Sequence, residues 1–258
     1  EIGSGLVGSE MCIRDSYETI EIPEKKWNYD SEIIGIDIPV VAVMGIGQNV
    51  QKFDLQLYLR SRFIDKGYKV SQIGTKKISG LFGLHPLPDF LFNTQYSDVD
   101  KVYAFNRVMK DVSMQEKPDV ILLGIPDSLL PLNNKHRFSF GLYAYEIFNA
   151  VQPDFVITSL MANNGYNDEF YSEISKMAKY KYNVNIDAYF VSQFCPLSNS
   201  IWSEKLSYVY LSRMELPKTE YKVYTTSDLN NDILFKQAEK KLLLYGCLLY
   251  TSDAADDR

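Results

Sequence analysis

The sequence predicts an α/β fold in which a mainly parallel sheet is flanked by helices on both faces. Short apolar runs such as "VVAVM" and "VILLG" do not alternate with polar residues, which is typical of strands buried on both faces. Amphipathic segments of helical length separate these runs. Strands that alternate with helices imply right-handed crossovers and a parallel sheet between two helical layers.

The two ends of the chain are set aside before the composition is interpreted. Residues 1–16 and 247–258 resemble translated sequencing adapters, since they contain "MCIRDS" and "CLLYTS". We exclude them from the fold as artefacts of the sequence. We expect residues 17–38 to be a linker and residues 39–246 to form one α/β domain, a fragment of a longer protein.

The composition excludes several classes of function. The net charge is −6, of which the adapter-like ends contribute −4, so the rest of the chain is near neutral at −2. It also has no basic block, and we therefore expect no nucleic-acid partner. No apolar run approaches the roughly 20 residues that a membrane helix needs, so we expect no membrane partner. Cys195 is the one cysteine outside the adapter-like ends, which argues against a disulfide framework or a cysteine zinc site and favours a cytoplasmic protein.

The hydrophobic pattern predicts the elements in order. Strands are expected at 40–44, 69–73, 120–124, within 152–160, at 186–192 and at 206–211, with an edge strand at 221–225. Helices are expected at 52–66, 98–114, 140–150, 167–182 and 228–244. Asp228 is the expected N-cap of the last helix. Residues 78–92 contain prolines and are expected to be irregular.

The loop after the first strand, "GIGQNVQKF", resembles the start of a phosphate-binding loop but lacks its sequence. In a G-x-x-x-x-G-K-[ST] motif the glycines expose backbone N–H groups, the lysine reaches phosphate oxygens and the hydroxyl binds Mg²⁺. When Lys52 is aligned with that lysine, Ile46 and Gln51 occupy the glycine positions and Phe53 replaces the hydroxyl residue. The motif is therefore degenerate, and the fold class is refined to P-loop NTPase-like with a degenerate loop.

The geometry of strand, glycine turn and helix N-terminus nevertheless favours an anion. Lys52 in the first helical turn is unfavourable for the helix dipole, so another group is expected to hold it there. The alternative is a solvated or salt-bridged lysine in a divergent loop. The residues predicted to bind a ligand are Gly45, Gly47, Gln48, Asn49, Lys52 and Asp127.

Asp127 is included because it follows the third strand, where an acid that holds Mg²⁺ stands in P-loop enzymes. The alternative is a turn aspartate after Pro126. The nearby loop "NNKHRF" offers Lys135, His136 and Arg137 either as a small anion clamp or as a solvated loop. No spacing of residues specifies catalysis, and no metal ligands are predicted.

Four stretches resemble the peptide-maturation-system proteins of clostridial natural-product clusters. They are "IPVVAVMGIGQNVQKFDLQLYLRSRFIDKGYKVSQIGTK", "GLHPLPDFLF", "KPDVILLGIPDSLLPLNNK" and "FGLYAYEIFNAVQPDFVITSL", within residues 38–160. The resemblance implies a bacterial accessory protein that binds a precursor peptide or a maturation enzyme. Family members often have Cys-Gly before the lysine, where this chain has Val50 and Gln51, and the family supplies no catalytic residue.

Three hypotheses follow. The preferred one is an accessory protein in the maturation of a ribosomally made peptide, acting as a binding module and not as an enzyme. It needs no cofactor, although a nucleotide or another phosphate ligand remains the alternative occupant of the loop. The second is an NTPase or kinase-like enzyme that uses Lys52 and Asp127, and the third is a nucleotide-sugar or dinucleotide binder that uses Gly45 and Gly47.

Overall fold

The structure is a computed structural model that describes residues 32–75, 77–212 and 214–253, apart from the side chains of residues 77, 78, 81 and 245–253. The adapter-like residues 1–16 and 254–258 and the linker residues 17–31 lie outside the described residues. The rest of the predicted linker lies along a helix of the domain, where Ile34 and the Asn106 side chain exchange two hydrogen bonds of 2.9 Å.

The described residues form nine strands and six α-helices. The strands are β1 Val40–Ile46, β2 Val70–Gly74, β3 His85–Pro86, β4 Val120–Gly124, β5 Phe155–Leu160, β6 Ala188–Val191, β7 Phe194–Pro196, β8 Tyr208–Tyr210 and β9 Val223–Tyr224. The helices are α1 Lys52–Asp65, α2 Asp98–Glu116, α3 Leu142–Ala150, α4 Asp168–Tyr182, α5 Thr226–Leu229 and α6 Ile233–Asp253. Two short 3-10 helices, Lys77–Phe82 and Asp89–Phe92, flank β3.

The predicted parallel sheet is confirmed. Seven of the described strands lie in the order β3-β2-β4-β1-β5-β6-β9, and every neighbouring pair is parallel. The chain leaves β1 towards β2 on one side, whereas it leaves β4 and β5 towards the other side. The carboxyl end of β1 therefore lies at the switch in strand order, where ligands of open α/β sheets bind.

Each face of the sheet is covered by helices, as the unbroken apolar strands predict. Val41 and Val43 of β1 pack with residues of α1 and α6, such as Phe63 and Phe235. The alternate β1 residues, including Met44, pack with α2, α3 and α4 on the opposite face. Because side chains alternate along a strand, β1 needs apolar residues at every position to fill both layers.

Three predictions about elements were wrong. Residues 78–92 are not wholly irregular, because His85 and Pro86 add β3 to the edge of the sheet. The segment at 206–211 forms β8, but it pairs antiparallel with β7 in a separate two-stranded hairpin instead of joining the main sheet. Asp228 is not the N-cap of the long helix, because its carboxylate accepts from Thr225 N in the capping box that starts α5.

A buried ion pair joins α2 to α3. Lys101 Nζ lies 3.2 Å from Glu146 Oε1, and the two side chains are 8% and 3% exposed. Burial raises the pKa of the Glu146 carboxyl, and Lys101 opposes this effect. Two buried charges are tolerated only as a pair, so each depends on the other.

We predict that Glu146→Leu lowers the free energy of unfolding by roughly 3–5 kcal/mol, because Lys101 is left buried without its partner. Urea denaturation measures the change. The double variant Lys101→Met/Glu146→Leu should recover most of the loss. The control is Glu173→Leu, which removes the exposed 2.8 Å pair with Lys176 and should leave the midpoint close to that of the wild type. A single variant as stable as the control would contradict the prediction.

Candidate functional site

The loop between β1 and α1 adopts a compact left-handed path. Gly47 has φ 107°, and the non-glycine residues Asn49 and Gln51 have φ 55° and 56°. Asparagine tolerates this region better than most residues, whereas Gln51 occupies it directly before the helix. The backbone there is costly, so contacts around the loop must hold it.

Gly45 is needed because the loop folds back against it. A Cβ at this position would lie 2.7 Å from Val50 Cγ2, 2.9 Å from Lys52 Cδ and 3.1 Å from the Ser159 carbonyl oxygen. The lysine stem therefore passes over the glycine. This close approach fixes the direction in which the Lys52 side chain leaves the helix.

Three polar groups of the loop are bonded to residues that are distant in the chain. Gly47 N donates to the buried Ser128 Oγ at 2.7 Å, and Ser159 Oγ donates to the Val50 carbonyl. Gln193 N donates to Gln51 Oε1 at 2.8 Å. The loops after β4 and β6 and strand β5 itself thus each hold the β1–α1 loop.

Lys52 points towards the end of β4. Its Nζ donates to the Ile125 carbonyl at 3.0 Å and to the Asp127 carbonyl. Burial lowers the pKa of the Lys52 amine to about 8, and the negative charge of Asp127 opposes this shift. The main-chain acceptors explain how a lysine can stand in the first turn of a helix despite the dipole.

Phe53 fills the position of the metal-binding hydroxyl. It is 7% exposed and its ring packs at 6.0 Å from that of Phe82. A benzyl side chain supplies no oxygen for Mg²⁺. The site lacks the side-chain ligand that the Walker motif places here.

The carboxylate of Asp127 is held by a residue of the same connection between β4 and α3. Its Oδ2 accepts from Ser139 N, twelve residues further on, at 2.7 Å. Asp127 itself has φ 56°, a left-handed conformation that is common for aspartate in turns. Asp127 lies next to Lys52, but the contact with the lysine is made by the main-chain oxygen of Asp127 and not by its carboxylate.

The three basic residues of the following loop do not converge as an anion clamp. Lys135 Nζ donates to the Trp202 carbonyl at 3.1 Å, and Arg137 Nε donates to the Asn134 carbonyl at 2.8 Å. His136 stacks on Phe138 at 6.5 Å. These contacts favour the alternative in which the segment is a structured surface loop.

A cavity of about 420 Å³ opens over the start of α1. Its lining comes from the loop and first turn of α1, from the end of β2 and from the β7–β8 hairpin. The lining residues are Asn49, Val50, Gln51, Lys52, Phe53, Asp54, Thr75, Phe194 and Tyr208. α1 begins without a side-chain N-cap, and the Asp54 carboxylate in its first turn offsets part of the positive charge at this end of the helix.

The structure brings only two of the six predicted site residues, Asn49 and Lys52, to the lining of this cavity. Gly45 and Gly47 are buried, Gln48 is exposed and Asp127 is half-buried, and none of these four is a lining residue. Their assignment to a ligand stays a prediction. Sequence reasoning missed Thr75, Phe194 and Tyr208. Thr75 could have been found, because it follows β2 at the same edge of the sheet.

No group of three or more His, Cys, Asp or Glu side chains among the described residues is placed to hold a metal ion. Within the same ranges, no helix has the length and apolar character required to cross a membrane.

The central strand, its glycine loop and the following helix make this a P-loop NTPase-like α/β fold. No family model and no curated protein matches the sequence. Solved structures with a similar fold include a DUF1611 family protein from Anabaena variabilis, at 13% identity and TM-score 0.46, with 64% of this chain and 50% of that chain covered. A MobB protein homolog from Bacillus stearothermophilus is 12% identical at TM-score 0.35, with 80% and 98% covered.

A third similar structure is cobyrinic acid a,c-diamide synthase from Mycobacterium smegmatis with bound ADP and magnesium. It is 15% identical at TM-score 0.39, with 60% of this chain and 74% of that chain covered. The chain spans about half the length of the first structures it matches, with 50% for the DUF1611 protein and 55% for chloroplast FtsY from Physcomitrella patens. These similarities concern the fold, and no residue role is transferred from them.

We predict that Gly45→Ala destabilises the protein by about 1–3 kcal/mol, because the new methyl group overpacks the loop against a main-chain oxygen. Thermal and urea unfolding measure the loss. Gly35→Ala is the matched control, since a Cβ there meets nothing within 4 Å. If both variants unfold at the same midpoint, the close approach at Gly45 is not a constraint.

We also predict that Lys52 makes the stability depend on pH between about 8 and 10.5. In this window the unfolded chain binds a proton on Lys52 that the folded protein does not, so the free energy of unfolding rises with pH. The gain from this group approaches about 3 kcal/mol at the upper end. Urea titrations at several pH values should show a steeper rise in the wild type than in Lys52→Met. Parallel curves would contradict the lowered pKa.

Proposed function

We propose that this chain is a cytoplasmic accessory protein in the maturation of a ribosomally made peptide, and that it acts as a binding module. The cavity over α1 holds an anionic group of the ligand, and no nucleotide is hydrolysed there. The peptide pathway rests on the sequence resemblance, whereas the choice of binding over hydrolysis rests on the site.

The contacts of Lys52 carry this proposal. A phosphate-loop lysine must reach the β- and γ-phosphate oxygens, and the backbone N–H groups of its loop must face them. Here the ammonium bonds two main-chain carbonyls, and Gly47 N bonds Ser128. Each group would have to leave an existing partner to bind phosphate, so part of the binding energy is lost in the exchange.

Phe53 supports the same conclusion. Mg²⁺ neutralises the charge that develops on the phosphates during transfer, and enzymes hold it with a hydroxyl and an acid. This site has a buried ring in place of the hydroxyl, and its acid is oriented by Ser139 N. What remains is the positive end of α1, which attracts an anion without activating it.

The second candidate is a nucleotide-dependent enzyme, an NTPase or kinase, with a non-standard loop. The proximity of Lys52 to Asp127 beside a cavity of about 420 Å³ favours it, because both residue types recur in phosphoryl transfer. In that mechanism the lysine would leave the carbonyls when a nucleotide enters.

Calorimetry and phosphate release decide between the two candidates. We expect ATP, GTP and inorganic pyrophosphate to bind with similar affinity, to be indifferent to Mg²⁺ and to remain intact. Lys52→Ala is the test variant, and Lys135→Ala, which changes a lysine of the neighbouring surface loop, is its control. Mg²⁺-dependent turnover that disappears in Lys52→Ala alone would overturn the proposal in favour of the enzyme.

The peptide part of the proposal has its own test. We expect sequencing through the locus to reveal a small precursor-peptide gene nearby. The encoded peptide, prepared synthetically, should bind the chain in calorimetry, whereas a scrambled peptide of the same composition should not. Equal binding of the two peptides, or a locus without such a gene, would count against this pathway.

A further inference from the structure

The β7–β8 hairpin has main-chain groups that its own pairing does not use. In an antiparallel pair, residues that exchange both main-chain hydrogen bonds alternate with residues whose N–H and C=O groups point away from the partner strand. Leu197 N donates to the Ser207 carbonyl at 2.9 Å, and the register places Cys195 opposite Val209, two residues further along each strand. Cys195 and Val209 are therefore the next bonded pair.

Tyr208 and Tyr210 flank this bonded pair, so their main-chain N–H and C=O groups point away from β7. These four groups have no hydrogen-bond partner in the part of the chain that the structure describes. We call them the outer edge of β8. Val209 and Tyr210 are 40% and 55% exposed, so this edge lies at the surface of the protein.

The opposite side of the hairpin is closed by the protein itself. The Phe194 carbonyl accepts from Ala162 N at 2.8 Å, and Phe194 N donates to Ser192 Oγ at 3.3 Å. Pro196, the other outward-facing residue of β7, has no N–H group to donate. The open side of this hairpin is therefore the outer edge of β8.

The outer edge of β8 lacks the features that keep exposed strands unpaired. Such strands usually carry proline or charged side chains, above all lysine. β3, at one edge of the main sheet, follows this rule, because Pro86 is one of its two residues. β8 has the sequence Tyr-Val-Tyr, with no charge and no proline. Aromatic and β-branched residues favour strands, so β8 suits pairing with a further strand.

The outer edge of β8 runs beside the cavity over α1. Tyr208 belongs to this edge and also lines the cavity, as does Phe194 on the neighbouring strand. The Phe194 ring lies 5.6 Å from that of Tyr210. Since alternate residues of a strand share a face, Tyr208 and Tyr210 lie on the face of the hairpin that borders the cavity. A strand added to β8 would therefore continue the wall of the site.

We propose that an extended peptide adds to β8 as a third, antiparallel strand and bonds the main-chain groups of Tyr208 and Tyr210. This inference rests on the proposed function, in which the chain binds a peptide, and it names the surface and the conformation in which the peptide is held. In this mode of recognition, main-chain bonds supply affinity, and pockets for alternate side chains supply specificity.

The register also assigns the peptide side chains. Residues directly opposite each other in an antiparallel pair lie on the same face. The peptide residue opposite Tyr208 therefore lies on the cavity face, where the proposed function places an anionic group, so it is acidic. The residue before it lies opposite Val209 and packs on that exposed side chain, so it is apolar. The residue opposite Tyr210 comes first in the peptide.

The test uses the blocked peptide acetyl-Ser-Ser-Thr-Val-Glu-Ser-Ser-amide on the whole chain, with NMR titration to measure the affinity. N-methylation of the glutamate removes the N–H that donates to the Tyr208 carbonyl, so we expect binding at least about tenfold weaker. N-methylation of the valine is the matched control, because that N–H points away from β8 and its loss should change the affinity less than about threefold. Equal affinities of the two methylated peptides would overturn the proposal.

Tyr210→Pro and Tyr210→Ala test the same edge from the side of the protein. Both variants lose the 2.8 Å bond from the Tyr210 hydroxyl to Gln193 Oε1 and the ring contact with Phe194. Only proline also removes the outward N–H, and an edge strand tolerates proline at such a position. We expect the unmethylated peptide to bind Tyr210→Pro at least about tenfold more weakly than Tyr210→Ala. Equal binding would contradict strand addition, and the methylated peptides test it on the wild-type chain even if the proline variant fails to fold.

A second copy of the chain is the competing occupant of this edge. Sedimentation of the wild-type chain alone should show a monomer. A dimer that dissociates in Tyr210→Pro and persists in Tyr210→Ala would assign the edge to a second copy and overturn the peptide proposal.

Strand addition and anion binding fail separately. Pyrophosphate calorimetry on Tyr210→Ala measures anion binding in a variant that keeps the outer edge of β8. Pyrophosphate binding without peptide binding refutes strand addition and leaves the anion site of the proposed function intact. Peptide binding that requires the Tyr210 N–H, without pyrophosphate binding, supports strand addition and refutes the anion site.

Discussion

Hydrogen bonding to β1 continues past the end of β4, and the site depends on this continuation. Ile125 N donates to the Val43 carbonyl at 2.9 Å, and Leu129 N donates to the Gly45 carbonyl at 3.0 Å. These bonds hold the main chain after β4 alongside the last residues of β1. The carbonyls of Ile125 and Asp127 are thereby brought to the Lys52 amine, and Ser128 is brought to Gly47 N.

Because of these contacts, the β1–α1 loop is stabilised differently from a phosphate-binding loop. A phosphate-binding loop leaves its backbone N–H groups directed at an empty site until an anion arrives. In this chain Ser128 after β4 bonds Gly47 N, and Ser159 of β5 bonds the Val50 carbonyl. These bonds offset part of the cost of left-handed residues such as Gln51. The protein itself therefore supplies part of what holds the loop in shape.

The sequence predicted the parts of the fold that depend on local pattern. The apolar run at Val120–Gly124 gave the bounds of β4, because a strand buried on both faces needs a side chain of the same type at every position. In the β7–β8 hairpin, a strand was predicted for β8 but not for β7. Each of these strands has three residues, and the alternation of apolar and polar side chains that marks a strand cannot be recognised over so short a run.

The site was harder to predict, because its decisive contacts join residues that are far apart in the chain. The helix dipole indicated that something holds Lys52 in place, but no local pattern identifies the carbonyls some 73 and 75 residues away as its partners. Tyr208 was missed for the same reason. It lines the cavity only because the hairpin returns to the start of α1, which no spacing in the sequence shows.

The chemical consequence follows from what surrounds the lysine. In a working phosphate loop, Mg²⁺ and water keep the site polar, and the lysine serves as a permanent positive charge. Here Phe53 and Phe194 line the cavity, and burial lowers the pKa of the amine to about 8. The apolar wall and the main-chain bonds of Lys52 act in the same direction. Phe53 offers no oxygen to Mg²⁺, and the two carbonyls already bond the amine that would have to reach a phosphate, so both features weaken the site for phosphoryl transfer.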